Sequence, residues 1–338
     1  MRQIKIDKAL DNKVSQFCAD LFVDGRRDDF EHPRTRLAKL KSIIKGHKQL
    51  KKKQYIQKII DEYERIIKAK PEEQQQLLAE FDVILPYTDF DDTKTKQENC
   101  FYLKVVKAMR YEDLRKKDIL PILGSIGLKA CVYCNAQLTV VLEAKYKTGG
   151  KRRRVVDKPP KANLELDHFY PKSKYPFLCT SFYNLYPTCS NCNRAKSTKE
   201  SKFQLYTEHE DLDVFRFSLS AESIGKYWIS RDLNDIKIDF HAAMQTDNLL
   251  ELLENHTELF CIPQVYDTQK DLAEELLHKA FVYNKSYNQE LIRNYSSLFP
   301  NQAVIKRLLI GNYAEADEIH KRPMAKFTFD IAKQLKLI

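Results

Sequence analysis

The chain has 338 residues, 43% hydrophobic and 31% charged, a balance typical of a soluble globular protein with a sizeable core. Its formal net charge of +10 favours a polyanionic partner such as nucleic acid. The N-terminus has no apolar run after its charges, and no window reaches the roughly 18 to 20 apolar residues of a membrane span. We therefore expect no signal peptide, no membrane segment and a cytoplasmic location, where paired cysteines bind metal more often than they form disulfides.

The N-terminal third is predicted to be helical. Apolar side chains recur at three- and four-residue steps over 33–70, which predicts one or two amphipathic helices with a break near Gly46. Pro71 predicts a fresh helix start, because proline suits the first turn of a helix. Residues 98–117 are also predicted to be helical, whereas 119–130 are predicted to form a buried, turn-rich segment.

Strands are expected only from the middle of the chain onward. Alternating apolar residues after position 137, followed by Gly149 and Gly150, predict a β-hairpin. Residues 162–168 form a further strand candidate, and a helix is expected after Asn193. Two more short strands are predicted, at 214–220 and 226–232, and from Ile236 onward the pattern favours helices.

Four cysteines form two C-x2-C pairs separated by 54 residues. Two such pairs are typical of a closed structural zinc site, which supplies local folding energy. A redox-active pair would need only one C-x2-C in a βαβ context, which is absent here. We predict structural Zn²⁺ on Cys131, Cys134, Cys189 and Cys192. The other four cysteines, Cys18, Cys100, Cys179 and Cys261, are expected to be core residues.

Between the two pairs lies an Asp-His dyad, Asp167 and His168, and an asparagine, Asn193, directly follows the last cysteine. Carboxylate and amide oxygens suit a hard cation such as Mg²⁺ or Mn²⁺, and a neutral imidazole can take a proton from water. The set suits metal-assisted hydrolysis of a phosphodiester. It requires the dyad at a strand end that faces the start of a helix carrying Asn193.

The stretch 164–197 resembles the HNH, or ββα-metal, endonuclease family, in the subgroup held by two zinc-binding knuckles. The resemblance covers roughly 131–200, about a fifth of the chain. It is carried by a DH pair, a Pro-Lys-Ser turn, a middle Asn-Leu and a CxxCN motif followed by basic residues: Asp167-His168, Pro171-Lys172-Ser173, Asn184-Leu185, Cys189 to Asn193, and Arg194-Ala195-Lys196.

The resemblance implies a role for each matching residue. His168 is the expected general base, Asp167 and Asn193 the ligands of the catalytic metal, and Asn184 the residue that holds the loop and orients the histidine. Asn193 stands where many relatives have histidine, which favours a hard metal over zinc at the catalytic centre. Basic residues near the dyad are the expected contacts to substrate phosphates: Lys172, Arg194, Lys196 and, in the hairpin that departs from a minimal module, Arg152, Arg153 and Arg154.

The C-terminal tail, at 311–335, resembles the stand-alone HNH effectors of Septu-like and retron-associated anti-phage defence. Those effectors act with an ABC-type or AAA-type ATPase. This resemblance implies that the helical flanks dock such a partner, although they can equally serve as packing around the nuclease core.

These observations together predict a mainly helical α+β protein that encloses a zinc-stabilised ββα-metal module. We expect a helical region over 1–128, the module over 129–205 and a mainly helical region over 206–338. The predicted function is metal-dependent endonuclease cleavage of DNA or RNA. The alternative is a zinc-stabilised nucleic-acid-binding or scaffold protein without catalysis, which would need the cysteines but not the dyad.

Overall fold

The computed structural model of the chain describes residues 1–21, 31–46, 49–90, 99–147, 155–283, 287, 290, 293–294 and 301–338, with side chains for all of these except 143–147 and 155–160. Within these ranges helices dominate and four small two-stranded sheets lie among them, which confirms the mainly helical α+β fold. No helix in these ranges is long and apolar enough to cross a membrane.

The N-terminal part is helical, as predicted. A short strand is followed by five helices: β1 (Ile4–Lys5), α1 (Lys8–Asp20), α2 (Pro33–Ile43), α3 (Leu50–Asp61), α4 (Tyr63–Lys68) and α5 (Pro71–Ile84). Gly46, with a φ of 100°, lies at the predicted break between α2 and α3. A second break at Glu62 divides 33–70 into three helices rather than one or two. Pro71 occupies the first turn of α5, as expected.

The segment that leads to the first cysteine pair is more helical than predicted. It contains α6 (Phe101–Ala108), α7 (Tyr111–Asp113), a π-helical turn (Leu114–Asp118) and α8 (Leu120–Ile126). Arg110, with a φ of 60°, separates α6 from α7. The prediction of a turn-rich segment was wrong for α8, because Pro121 falls in its first turn, where proline is tolerated.

The central strands form two antiparallel pairs. The predicted hairpin is β2 (Val140–Lys147) with β3 (Val155–Asn163), and its Gly-Gly turn lies outside the described residues. Strand β4 (Glu165–His168) pairs with β5 (Leu185–Thr188), so that His168 lies opposite Leu185. Residues 162–168 are thus divided between β3 and β4 instead of forming one strand. Helix α9 (Ser190–Lys196) follows β5 directly.

The C-terminal half corrects three predictions. Most of the strand predicted at 226–232 lies in α10 (Ala221–Ser230), which Ser220 caps. The predicted strand at 214–220 is present as β7 (Phe215–Leu219), but its partner β8 (Ile238–Ala242) lies where helix was expected. Cross-strand aromatic pairing of Phe217 with Phe240 stabilises this ribbon. The helix expected after Asn193 ends at Lys196.

The described residues also form a further strand and five further α-helices. Strand β6 (Tyr206–Thr207) runs parallel to β1. The helices are α11 (Asp247–Phe260), α12 (Ile262–Asp267), α13 (Lys270–Val282), α14 (Gln302–Ile310) and α15 (Ala325–Gln334).

One buried apolar cluster extends through all three predicted regions. Phe81 of the N-terminal helices stacks on Phe177 at a ring distance of 3.9 Å, and Tyr266 of the C-terminal helices donates to the backbone oxygen of Cys134 at 2.8 Å. Helix α9 packs between β4 and α11. The central strands and α9 are therefore surrounded by helices from both sides of the sequence.

Candidate functional site

The two cysteine pairs meet in the structure. All four side chains are buried and their sulfur atoms lie within 4.8 Å of one another: Cys131, Cys134, Cys189 and Cys192. The backbone N–H of Cys189 donates to Cys131 Sγ at 3.3 Å, which ties the two pairs together. Hydrogen bonds from the other thiols lower the pKa of Cys189, which favours the thiolate. Four sulfurs so placed fit a structural metal such as zinc.

The four cysteines outside the cluster are not all core residues. Cys100 and Cys179 are buried and Cys18 is half-buried, whereas Cys261 is exposed, so the core prediction is wrong for Cys261.

Strand β4 and helix α9 bring the predicted catalytic side chains together. Alternation along the strand places Glu165 and Asp167 on one face, and a spacing of three places Asn193 and Lys196 on one face of α9. Asn193 Nδ2 donates to the Glu165 carboxylate, and Lys196 Nζ lies 3.1 Å from Asp167 Oδ2. The packing of α9 on β4 thus sets Asp167 and Asn193 around one pocket.

Asp167 is a buried carboxylate with two strong partners. Its side chain is 4% exposed. Its Oδ2 accepts a hydrogen bond from the Tyr133 hydroxyl at 2.7 Å in addition to the Lys196 contact. Burial raises the pKa of Asp167, while the Lys196 ammonium and the Tyr133 hydroxyl act in the opposite direction. The carboxylate is therefore held in one orientation by a cation and a neutral donor.

His168 is held neutral by its surroundings. Burial, reinforced by the positive charge of Lys172, lowers the pKa of His168 to about 3. Nε2 lies 3.1 Å from the backbone oxygen of Cys179, and the ring centroid is 4.7 Å from that of Tyr111. Because a carbonyl only accepts, Nε2 carries the proton, and Nδ1 is left as the acceptor of the neutral ring.

Asn184 supports the loop that follows β4. Its Oδ1 accepts from the Tyr170 N–H at 2.8 Å, and its Nδ2 donates to the carbonyls of Tyr170 and Leu178, at 3.2 and 3.1 Å. The side chain is fully buried. This loop ends at Cys179, whose carbonyl holds His168, so Asn184 acts on the histidine through the backbone.

A pocket of about 420 Å³ opens over the dyad. Besides Asp167, His168 and Asn193, its lining includes aromatic, apolar, acidic, polar and basic residues: Tyr102, Tyr111, Arg115, Glu165, Leu166, Pro171, Lys172, Ser173, Arg194, Ser197 and Thr198. Lys172 Nζ lies 4.6 Å from the centre of the Tyr111 ring, and Arg115 and Arg194 are exposed. The pocket therefore combines carboxylate and amide oxygens, a neutral imidazole and three cations.

The predicted phosphate contacts fall into three groups. Lys172 and Arg194 line the pocket. Lys196 is fully buried, and its ammonium donates to the carbonyl of His168 at 2.7 Å as well as contacting Asp167, so it holds the site together from inside. Arg152, Arg153 and Arg154 lie outside the described residues.

Four residues of the site escaped the sequence analysis. Glu165 stands two positions before Asp167, and the period of a strand could have placed both carboxylates on one face. Tyr133 lies inside the first cysteine pair, whose spacing marks the two cysteines and not the residues between them. Tyr111 and Arg115 come from α7 and the π-helical turn, far away in sequence, and no local signal marks them.

The fold and site define a class: a helical α+β protein with a four-cysteine cluster beside a strand–helix pocket. The chain is similar to the Septu protein PtuB of Bacillus thuringiensis, at 36% identity over 141 residues. The aligned part is 37% of this chain and 48% of the relative, so the chain spans about half the length of the curated relative it matches. No protein-family model matches the chain, and no solved structure matches it.

Proposed function

We propose that the chain is a metal-dependent HNH endonuclease that hydrolyses phosphodiester bonds in DNA or RNA. The observation that carries this proposal is the meeting of Asp167, His168 and Asn193 at one pocket, beside the four-cysteine cluster. A protein that only binds or scaffolds would need the cysteines and the helices. It would have no use for a neutral histidine and oxygen ligands that converge.

The oxygen donors around the pocket fit a hard divalent cation. Asp167 is the central ligand, Asn193 offers its amide oxygen, and Glu165 brings a second carboxylate within hydrogen-bond reach of Asn193. Such a set suits Mg²⁺ or Mn²⁺, which prefer oxygen and keep several waters. When bound, the cation would stabilise the negative charge that develops on the phosphate and on the leaving oxygen.

His168 is the proposed general base. Its pKa of about 3 keeps the ring neutral throughout the physiological range. With Nε2 bonded to the carbonyl of Cys179, Nδ1 is the nitrogen that can take a proton from the attacking water. The resulting hydroxide attacks the phosphorus, and the P–O bond to the leaving oxygen breaks. The leaving oxygen takes a proton from solvent, and the protonated ring returns its proton to solvent.

Substrate binding is assigned to the cations at the rim of the pocket. Lys172 and Arg194 were predicted for this role, and Arg115 joins them from the π-helical turn. Contacts of this kind go to phosphates and carry no sequence information, so they suit DNA and RNA alike. We propose that Arg152, Arg153 and Arg154 of the hairpin contact phosphates of the same nucleic-acid strand that lie further from the cleavage point.

Similarity to a Septu protein supports a role in anti-phage defence. In that role, we propose that the chain is the nuclease effector and acts with an ATPase partner. We propose that the partner docks on the helical regions that flank the central module, at 1–128 and 206–338. A basic nuclease released in its host's own cytoplasm would be hazardous, which favours restraint by a partner.

The test is a cleavage assay of the wild type, His168→Ala and, as a matched control, the exposed His209→Ala. Each protein is incubated with Mg²⁺, Mn²⁺ or EDTA on plasmid, single-stranded DNA and total RNA, alone and with any ATPase that co-purifies. We expect metal-dependent cutting by the wild type and the control, reduced about 100- to 10,000-fold in His168→Ala, because a general base contributes that much. Equal cutting by His168→Ala, or no metal-dependent cutting under any condition, would refute the nuclease.

A further inference from the structure

Tyr133 connects the two metal-binding parts of the protein. It lies between Cys131 and Cys134 in sequence, and its hydroxyl donates to Asp167 Oδ2 at 2.7 Å. Tyr133 is fully buried and Asp167 is 4% exposed, so little water competes for this bond. The Tyr133 side chain, which lies in the turn that carries two of the four cysteines, thus contacts the Asp167 carboxylate directly.

The position of the Tyr133 ring is fixed on several sides. It stacks on Phe260 at a ring distance of 4.4 Å and an angle of 19°. Its backbone oxygen is 2.9 Å from His256 Nε2, which belongs to α11. With both neighbouring cysteines in the cluster, neither the backbone nor the ring of Tyr133 is free to move, so the hydroxyl points at one place.

A second tyrosine provides a natural comparison. Tyr266 is also fully buried, and its hydroxyl donates at 2.8 Å to the backbone oxygen of Cys134 in the same turn. It supports the cysteine turn without touching Asp167. Loss of either hydroxyl removes one buried hydrogen bond from the same turn, and only Tyr133 can affect the carboxylate directly.

We propose that Tyr133 is a positioning residue through which the four-cysteine site orients Asp167 for binding a divalent cation. The proposal rests on the assignment of Asp167 as a ligand of the catalytic metal. The donated hydrogen bond fixes the orientation of Oδ2 and leaves the carboxylate further lone pairs for a cation. Partners of this kind around a metal ligand are worth about 10- to 100-fold in metal affinity.

The test uses the full-length, zinc-loaded chain as wild type, Tyr133→Phe, Tyr266→Phe and Asp167→Asn. Zinc content and the thermal unfolding midpoint are measured first, and Mn²⁺ affinity is then measured by the loss of the free-ion electron paramagnetic resonance signal. We expect Tyr133→Phe to keep its zinc and to bind Mn²⁺ about 10- to 100-fold more weakly. Tyr266→Phe should bind Mn²⁺ like the wild type, and Asp167→Asn should bind it most weakly.

The outcomes distinguish the role of Tyr133 from the nuclease assignment. Wild-type Mn²⁺ affinity in Tyr133→Phe, with Asp167→Asn impaired, would overturn the role of Tyr133 and leave the nuclease assignment standing. Unimpaired binding by Asp167→Asn, or no Mn²⁺ binding by the wild type, would overturn both.

A second measurement tests the proposal if Tyr133→Phe loses its zinc or does not fold. It places 3-fluorotyrosine at position 133, which keeps the hydroxyl and the ring, and follows its ¹⁹F resonance during a Mg²⁺ titration. We expect a shift in the wild type that is absent in Asp167→Asn. A resonance that does not respond to Mg²⁺ in the wild type would contradict the coupling.

Discussion

Lys196 has a structural role that its position in the sequence does not predict. It lies three residues after Asn193 in a basic stretch, yet it is fully buried against Asp167 and the carbonyl of His168. Burial lowers the pKa of Lys196, while the charge of Asp167 and its hydrogen bond act in the opposite direction. The ammonium thus neutralises a carboxylate that would otherwise be isolated in the protein interior.

Lys196→Met should lower the free energy of unfolding by about 3–5 kcal/mol, because it leaves the buried carboxylate of Asp167 without its cation. The double variant Lys196→Met/Asp167→Asn should recover part of this loss. Lys174→Met, which removes an ion pair whose partner Glu200 is exposed, should cost no more than about 1 kcal/mol. Urea unfolding of the wild type, of these three variants and of Asp167→Asn measures the coupling. A cost for Lys196→Met no larger than that of Lys174→Met would contradict the buried pair.

At the scale of elements, α9 depends on its surroundings. It has seven residues, too few for a stable isolated helix. Cys189 is its N-cap and accepts from the Cys192 N–H at 3.5 Å, so the cysteine cluster defines where the helix begins. The same cluster therefore determines the position along β4 at which Asn193 contacts the strand.

Cys189→Ser should reduce bound zinc from about one ion per chain to nearly none, and should destabilise the protein by more than about 4 kcal/mol, because loss of a structural metal is among the costliest substitutions. Zinc is measured by plasma mass spectrometry and stability by denaturant unfolding. Cys18→Ser, at a half-buried cysteine outside the cluster, is the matched control and should keep its zinc. Full zinc occupancy in Cys189→Ser would show that the cluster is not the metal site.

Across the whole molecule, the central segment is tied to both ends of the chain. Asn135, directly after the first cysteine pair, has a φ of 53°, and its side chain bonds to the C-terminal region. Its Nδ2 donates to the Ile319 carbonyl at 3.1 Å, and its Oδ1 accepts from the Lys326 N–H at 2.9 Å. On the other side, the Tyr111 hydroxyl donates to the Leu166 carbonyl at 3.4 Å. The predicted module at 129–205 is thus buried by its flanks.

We expect the fragment 129–205 to remain unfolded even with zinc, because its fully buried aromatic side chains, among them Tyr133 and Phe177, would be exposed to water. Nuclear magnetic resonance of the ¹⁵N-labelled fragment, with the full chain as reference, provides the measurement. A dispersed spectrum with cooperative unfolding would show that the module is an independent domain.

The sequence alone determined the features that depend on local pattern. The spacing of four cysteines predicted their meeting, apolar periodicity predicted most of the helices, and proline placed the start of α5 correctly. Alternation predicted the hairpin of β2 and β3. Each of these signals depends on a metal-ligand spacing, a backbone period or the conformation of a single proline, which the residues express without reference to the packing around them.

Only the tertiary structure decided which side chains meet. Strand β8 is an exception, because apolar and polar residues alternate over 236–242 and this local pattern indicates a strand, so the prediction of helix there was wrong. Arg115 reaches the pocket, and Tyr133 reaches the Asp167 carboxylate, from segments far from Asp167 in sequence. Lys196 is buried because α9 packs on β4. Burial and long-range contact follow from the packing of whole elements, so no single stretch of sequence encodes them.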